Sequence, residues 1–377
     1  MAVEPCRHSP LLAVSTTGFH TREQSVSQTR GPPVRGPNTA AVLDRAVDRP
    51  TVVGVRSSNM SHDVLVAGET LIDCIPERPG PLEDVAGFER RPGGAPANVA
   101  VALARLERPP LFWTRVGADP FGRFLERTLA DHGLSGRFVE RDGDAKTSLA
   151  FVTHDETGDR EFTFYRDGTA DTRLEPGRID DETLADREWV HAGGVTLAGG
   201  SSRAATLDLL ERAAAAECTV SFDPNFRPEL WPDTETFASV GRDALADVDV
   251  CIATVEELEL LGFAGETPTA IARAAVDGSS VHTVFVTLGS EGAVAVAGDD
   301  APRAGDAVEH PGFAVETVDT TGAGDAFVAG TIAALGDGRE LADAVAFANA
   351  VAATATTAPG AMTALPTRDE VAPLLDA

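Results

Sequence analysis

Thr320-Thr321-Gly322-Ala323-Gly324-Asp325 joins a strand-like stretch, Val315–Val318, to a helical run over Ala323–Leu335. Small residues at a strand-to-helix turn let backbone amides converge at the helix N-terminus, where unpaired N–H groups and the helix dipole favour an anion. Asp325 falls in the first helical turn, so its carboxylate faces the space that anion would occupy. A carboxylate beside an anion hole suits phosphoryl transfer to an alcohol: it accepts the hydroxyl proton while the amides stabilise charge on the transferred group. The plainer alternative is a helix cap at Asp325 and a tight turn at Gly322 and Gly324.

The strand-then-helix unit recurs from residue 62 onward. Strands are predicted at Val64–Glu69, Leu111–Gly117, Trp189–Gly193, Thr219–Asp223, Val248–Ala253 and His282–Leu288. Between and after them lie helical runs at Ala97–Glu107, Phe121–His132, Arg203–Ala215, Ala270–Val276 and Glu340–Thr356. Apolar strands separated by helices imply an α/β fold of three layers, with a mostly parallel sheet covered on both faces. One segment breaks the alternation: Ser148–His154 and Glu161–Arg166 flank the turn residues 155–159 and predict a hairpin, placed to act as a small β lid over the sheet rim.

Residues 1–59 differ in kind. They carry seven arginines against four acidic residues, a charge of +3 that leaves −31 on residues 60–377 out of −28 overall. Rich in Ser, Thr, Pro and Arg and without strand or helix period, they are expected to be a disordered or spurious extension, with Met60 as a start. A targeting peptide is the other reading, but no apolar h-region or cleavage pattern supports it. Of the 31 basic residues only Lys146 is lysine. So negative a field repels phosphate backbones and anionic lipid, which argues against nucleic-acid and membrane partners and fits adaptation to high salt. The scattered cysteines Cys6, Cys74, Cys218 and Cys251 form no CxxC pair and suit a reducing cytoplasm.

Other predicted strand ends carry polar or glycine signatures as well. Gly93-Gly94-Ala95-Pro96-Ala97-Asn98 lets backbone approach a ligand, and Asn98 can donate to and accept from a hydroxyl. In Gly68-Glu69-Thr70-Leu71-Ile72-Asp73 an acid follows the first strand, so Asp73 and Asn98 together would clamp a polyol. Thr287-Leu288-Gly289-Ser290-Glu291-Gly292 suits backbone contact with a nucleotide, and Asp223-Pro224-Asn225-Phe226-Arg227 offers Arg227 to a phosphate. There is no GxxxxGK[ST] P-loop and no dinucleotide fingerprint.

Two of these stretches resemble the signatures of the ribokinase-like (PfkB) carbohydrate kinases, with fructokinases nearest: Gly93-Gly94-Ala95-Pro96-Ala97-Asn98-Val99-Ala100 and Asp319-Thr320-Thr321-Gly322-Ala323-Gly324-Asp325-Ala326-Phe327. Gly94 and Gly322 stand 228 residues apart, a spacing typical of the family, and the resemblance covers about residues 63–370. It implies an ATP-dependent sugar kinase with Asp325 as base and the amides of Gly322, Ala323 and Gly324 as anion hole. Asp73, Gly94, Asn98 and, from the lid, Arg166 would hold the sugar, with Gly68-Glu69-x-x-Ile72-Asp73 pointing to fructose and 2-keto-3-deoxygluconate as the alternative. Thr287, Gly289, Gly292 and Asn349 would line the nucleotide pocket. Asp319 and Thr321 match positions that bind a monovalent cation, usually K⁺, and Glu257 matches the acid near Mg²⁺ and the phosphates. Family members often dimerise through the lid, so a homodimer is implied. A sugar- or nucleotide-binding protein without catalysis is the rival from another class, though the base and the anion-hole glycines are intact. Two departures stand out: Thr254 replaces the usual Asn of Asn-x-x-Glu, and Leu106-Glu107 replaces Leu-Gly at a helix end.

Overall fold

The computed structural model describes residues 62–78, 80–154, 160–299, 301–302 and 307–376; the extension 1–59 lies outside them. The first half runs β1 (Val64–Ala67), β2 (Leu71–Pro76), β3 (Phe88–Gly93), α1 (Ala95–Arg105), β4 (Leu111–Gly117), α2 (Pro120–Asp131), β5 (Val139–Asp142), β6 (Leu149–His154) and β7 (Arg160–Tyr165). It continues with α3 (Asp181–Ala185), β8 (Trp189–Gly193), α4 (Gly200–Ala215), β9 (Thr219–Asp223), α5 (Thr234–Leu245), β10 (Val250–Thr254), α6 (Val255–Leu260) and α7 (Pro268–Gly278). The last part holds β11 (Thr283–Thr287), β12 (Ala293–Ala297), β13 (Ala307–His310), α8 (Ala323–Gly336), α9 (Leu341–Ala355), α10 (Ala361–Ala364) and α11 (Arg368–Leu375).

Among the described residues nine strands form one sheet in the order β13-β12-β11-β10-β9-β8-β1-β4-β5, all running the same way except β12, which is antiparallel to both β11 and β13. Burial on both faces explains why its strands read as apolar runs rather than alternating ones. In β1, Val64 and Val66 point into a core with α1, α8 and α9, while Leu65 and Ala67 enter a second core with α4 and α5. Chain order reverses at β1, whose neighbours are β4 on one side and β8 on the other, and ligands in such sheets bind outside the strand C-termini at this point.

A second sheet, β3-β2-β6-β7, forms the lid. The hairpin β6–β7 is where the sequence places it, but β2 and β3 join it to make four strands. They were missed because Pro76 and Pro92 and a run of charges blur their period. β1 ends at Ala67 rather than Glu69, since Gly68 turns the chain out of the main sheet and into the lid. Val315–Val318 is not a strand: residues 311–317 have no regular structure, and Val318 N and Asp319 N donate to Thr356 O instead. At the end of α1, Glu107 takes a left-handed φ of 63°. Arg108 N donates to Leu103 O at 2.8 Å and Glu107 N to Ala104 O at 3.1 Å, so the departure from Gly loads the cap of α1 at the pole away from the strand C-termini. No described helix is long and apolar enough to cross a membrane.

Candidate active site

The C-terminal ends of the central strands and the inner face of the lid enclose a cavity of about 310 Å³. Glu69 follows β1, Asp223 ends β9, Thr254 ends β10 and Thr287 ends β11, and all four line it. Alternation along the lid strands sends Leu71, Asp73, Ala150, Phe162 and Phe164 to the same cavity. Phe162 and Phe164 stack with ring centroids 5.7 Å apart, giving the polar chamber an apolar roof.

Two turns meet beneath that roof. Gly94, N-cap of α1, has φ 102°, and a Cβ there would sit 2.6 Å from Glu69 O, so only glycine lets the turns interlock. Gly322, N-cap of α8, has φ 78°. The family resemblance implies three amides in an anion hole; that of Ala323 turns back to Thr320 O at 3.2 Å, leaving Gly322 and Gly324 as the two of these residues that line the cavity. A Cβ on Gly324 would meet nothing within 4 Å, so its lack of a side chain is not a demand of packing.

Asp325 occupies the cavity floor, and Asn98 Nδ2 donates to its Oδ2 at 2.7 Å. Burial raises its pKa to about 6, while the Asn98 hydrogen bond and the Arg227 charge hold it from rising further. That value suits a general base. Asn98 Oδ1 is buried without a partner among the described residues, leaving an acceptor in the cavity for a hydroxyl.

Arg227 lines the cavity, its guanidinium 5.7 Å from the Phe162 ring centre. Near it Asp223, overlooked by sequence reading in favour of Arg227, accepts from Asn225 N at 2.9 Å and Asn225 Nδ2 at 3.1 Å. Burial and the adjacent Glu257 charge push it up to about 8. Its position as the last residue of a predicted strand was the available signal. Thr254 and Glu257 form a reciprocal cap: Thr254 Oγ1 accepts Glu257 N at 3.2 Å and Glu257 Oε2 accepts Thr254 N at 2.9 Å. Glu257 Oε1 also takes Phe226 N at 2.7 Å, so the replacement of Asn by Thr supplies a strong N-cap and orients the acid.

Of the other predicted residues Thr321 also lines this chamber, and the rest lie apart from it. Asp319 and Thr321 line an adjoining cavity under the lid of about 540 Å³; Asp319 Oδ1 accepts Thr321 N at 2.9 Å and Oδ2 accepts Gly360 N at 2.8 Å. Gly289 is exposed on the turn after β11, and Gly292 packs against β13, where a Cβ would lie 2.0 Å from His310 O. Asn349 is buried in α9, donating to Val345 O at 3.0 Å. Arg166, predicted to reach the sugar, is buried and does not line the chamber; its Nε donates to Asp171 Oδ2 at 2.5 Å. An arginine ending a lid strand gave no hint that an acid five residues on would hold it.

The chain is 37% identical over 316 residues to a fructokinase of Vibrio alginolyticus, covering 82% of this chain and 98% of that protein. A fructokinase from Xylella fastidiosa, solved with bound ATP, superposes with a TM-score of 0.73 at 33% identity, covering 84% and 98% of the two chains. A double-mutant fructokinase from Vibrio cholerae, in its fructose, ADP and potassium ion bound form, does so with 0.71 at 34% identity, covering 83% and 97%. Across residues 61–368 the sequence matches the pattern of the pfkB family carbohydrate kinases, and with the paired signature turns meeting at one carboxylate, the chain belongs to that family.

Proposed function

We propose that this carbohydrate kinase transfers the γ-phosphoryl group of ATP to a hydroxyl of fructose. The observation that carries the reading is Asp325, raised to about 6, held by Asn98 and set in the first turn of α8 beside Gly322 and Gly324. In this reading Asp325 takes the hydroxyl proton, Asp73, Gly94 and Asn98 hold the sugar, and the α8 turn with Arg227 stabilises charge on the phosphoryl group. Thr287, with Gly289, Gly292 and Asn349 beyond it, is assigned to the nucleotide side.

Fructose is favoured over a sugar acid by the charge of the chamber. Among its described lining residues five are acidic, Glu69, Asp73, Asp223, Glu257 and Asp325, and Arg227 alone is basic. With Arg166 committed to Asp171, a substrate carboxylate would meet mainly like charge, whereas a neutral polyol finds acceptors. The fructokinases it resembles point the same way.

The donor set fits Mg²⁺ carried in by the nucleotide. No group of three or more ligating side chains stands ready among the described residues, while Asp223 and Glu257 are paired acids whose mutual repulsion a cation would relieve. When bound, Mg²⁺ neutralises charge on the phosphates. Asp319 and Thr321 offer hard oxygens beside the α8 turn, which suits K⁺. A homodimer through the lid is supported by the aromatic contacts Phe88–Phe151 and Phe151–Tyr165 on its outer face, where Tyr165 is 61% exposed. The charge of −31 on residues 60–377 and the scattered cysteines support a cytoplasmic enzyme adapted to salt.

Coupled ADP release over a sugar panel, in matched molar KCl and NaCl, tests the reading. Fructose is expected to be turned over, faster in KCl; turnover of 2-keto-3-deoxygluconate and none of fructose would overturn the substrate, and equal rates in the two salts would remove the K⁺ site. Gly324→Ala separates the anion hole from a plain turn. Because the added methyl has room in the fold, melting temperature should stay within about 2 °C while kcat/KM falls about 10-fold as it enters the phosphoryl site. Unchanged kcat/KM would mean that no ligand approaches this backbone.

A further inference from the structure

Helix α1 begins without a side-chain cap of its own, since its N-cap is Gly94. The missing acceptor comes from 26 residues earlier: Ala95 N donates to Glu69 Oε1 at 3.1 Å. Glu69 is 2% exposed yet in the chamber wall, and its Oε2 is buried without a partner among the described residues. Thr70 Oγ1 donates to Gly93 O at 3.2 Å, so the chain entering the lid and the chain entering α1 are tied by adjacent residues. One helical turn on, Asn98 meets Asp325. The start of α1 therefore sets where the base is held.

A second buried group complements the first. Arg166, at the end of lid strand β7, has its Nε on Asp171, and its Nη2 is buried without a partner among the described residues. Asp171 is fixed from its other oxygen by Thr169 Oγ1 at 2.7 Å and by Ser148 Oγ. A bare acceptor on Glu69 and a bare donor on Arg166 are each what the other lacks, and a buried group left in this state is costly unless it serves a purpose.

We propose that Glu69 is a positioning residue for phosphoryl transfer, anchoring α1 and with it the Asn98–Asp325 pair, and that the buried Arg166–Asp171 pair couples this anchor to the lid. The inference rests on Asp325 as the base. Burial pushes Glu69 up to about 7, the Arg166 charge pulls it down and the Asp171 charge pushes it up. Those two are the charges that act on it most; Asp73, Asp223, Glu257, Arg227 and Asp325 share its chamber. The ionised form holds the anchor most firmly, because it accepts Ala95 N as a charged acceptor and is the form the Arg166 charge favours. It is therefore lost as pH falls through about 7, above the separate limb of Asp325 at about 6.

The test is the pH profile of kcat and of kcat/KM for the sugar in Glu69→Gln, Arg166→Gln, Arg166→Lys and the Glu69→Gln/Arg166→Gln double variant. Glu69→Gln is expected to lower kcat about 10-fold with the KM for ATP within twofold, and to lose the upper limb while keeping the lower. Arg166→Gln should move the upper limb up by about one pH unit, and Arg166→Lys should leave it in place. In the double variant no such movement should remain. Wild-type kcat and profile in Glu69→Gln, or an equal shift from Arg166→Gln in both backgrounds, would overturn the inference. Should Glu69→Gln fail to fold, the Arg166→Gln and Arg166→Lys profiles decide: a limb indifferent to the charge at 166 overturns it. Asp325→Asn run alongside keeps the two readings apart, since a dead Asp325→Asn beside an unaffected Glu69→Gln refutes the anchor alone.

Discussion

Asp325→Asn should lower kcat by about 10²–10⁴-fold with KM for sugar and ATP little changed, because the carboxylate acts only as the hydroxyl loses its proton. The amide is nearly isosteric and can still pair with Asn98, so the melting temperature should hold, and a folded variant with near-wild-type turnover would reduce Asp325 to a helix residue. The pH dependence has a definite sign. A base must be ionised, and burial has raised this one to about 6, so its contribution to kcat/KM is present above that value and is lost as pH falls through it. In Asp325→Asn the residual rate should show no limb there.

Asp73→Ala should lower kcat/KM for the sugar by about 10–100-fold while leaving KM for ATP unchanged. The residue sits on the inner face of β2, paired across the lid with Ala150 and packed over Gly93, so its carboxylate is held by strand geometry rather than by a mobile loop. A carboxylate can take two hydroxyls of one polyol, and among the described lid residues that line the chamber Asp73 is the one with a charged side chain, Arg91 lying beside it over the adjoining cavity. Equal losses for sugar and nucleotide would show that the substitution had disturbed the lid as a whole. No loss for either would take Asp73 out of the sugar site.

Much of the site was legible as local pattern. Gly94 and Gly322 are needed because their backbones turn through positive φ, a constraint that acts within a few residues and therefore leaves a mark in the string. Asp325 and Asn98 were legible for the same reason, each lying one turn into a helix that such a glycine opens. The parallel sheet was readable from apolar runs alternating with Ala-rich helices. Strands β2 and β3 were not, since β2 takes its second partner, β6, from far along the chain and both carry prolines and charges that only the lid accommodates.

The sequence by itself therefore determined the α/β class, the two glycine turns, and the placing of Asp325 and Asn98 in the first turns of the helices those glycines open, because each follows from propensities and sterics of neighbouring residues. Only the tertiary structure decided what depends on partners distant along the chain. It committed Arg166 to Asp171 instead of the chamber, placed Asp223 beside Glu257, made Thr254 a cap, and set Glu69 across from the start of α1. The physical reason is that a charge's role is fixed by what neutralises or desolvates it. In this fold those neighbours come from different strand ends, which no local pattern brings together.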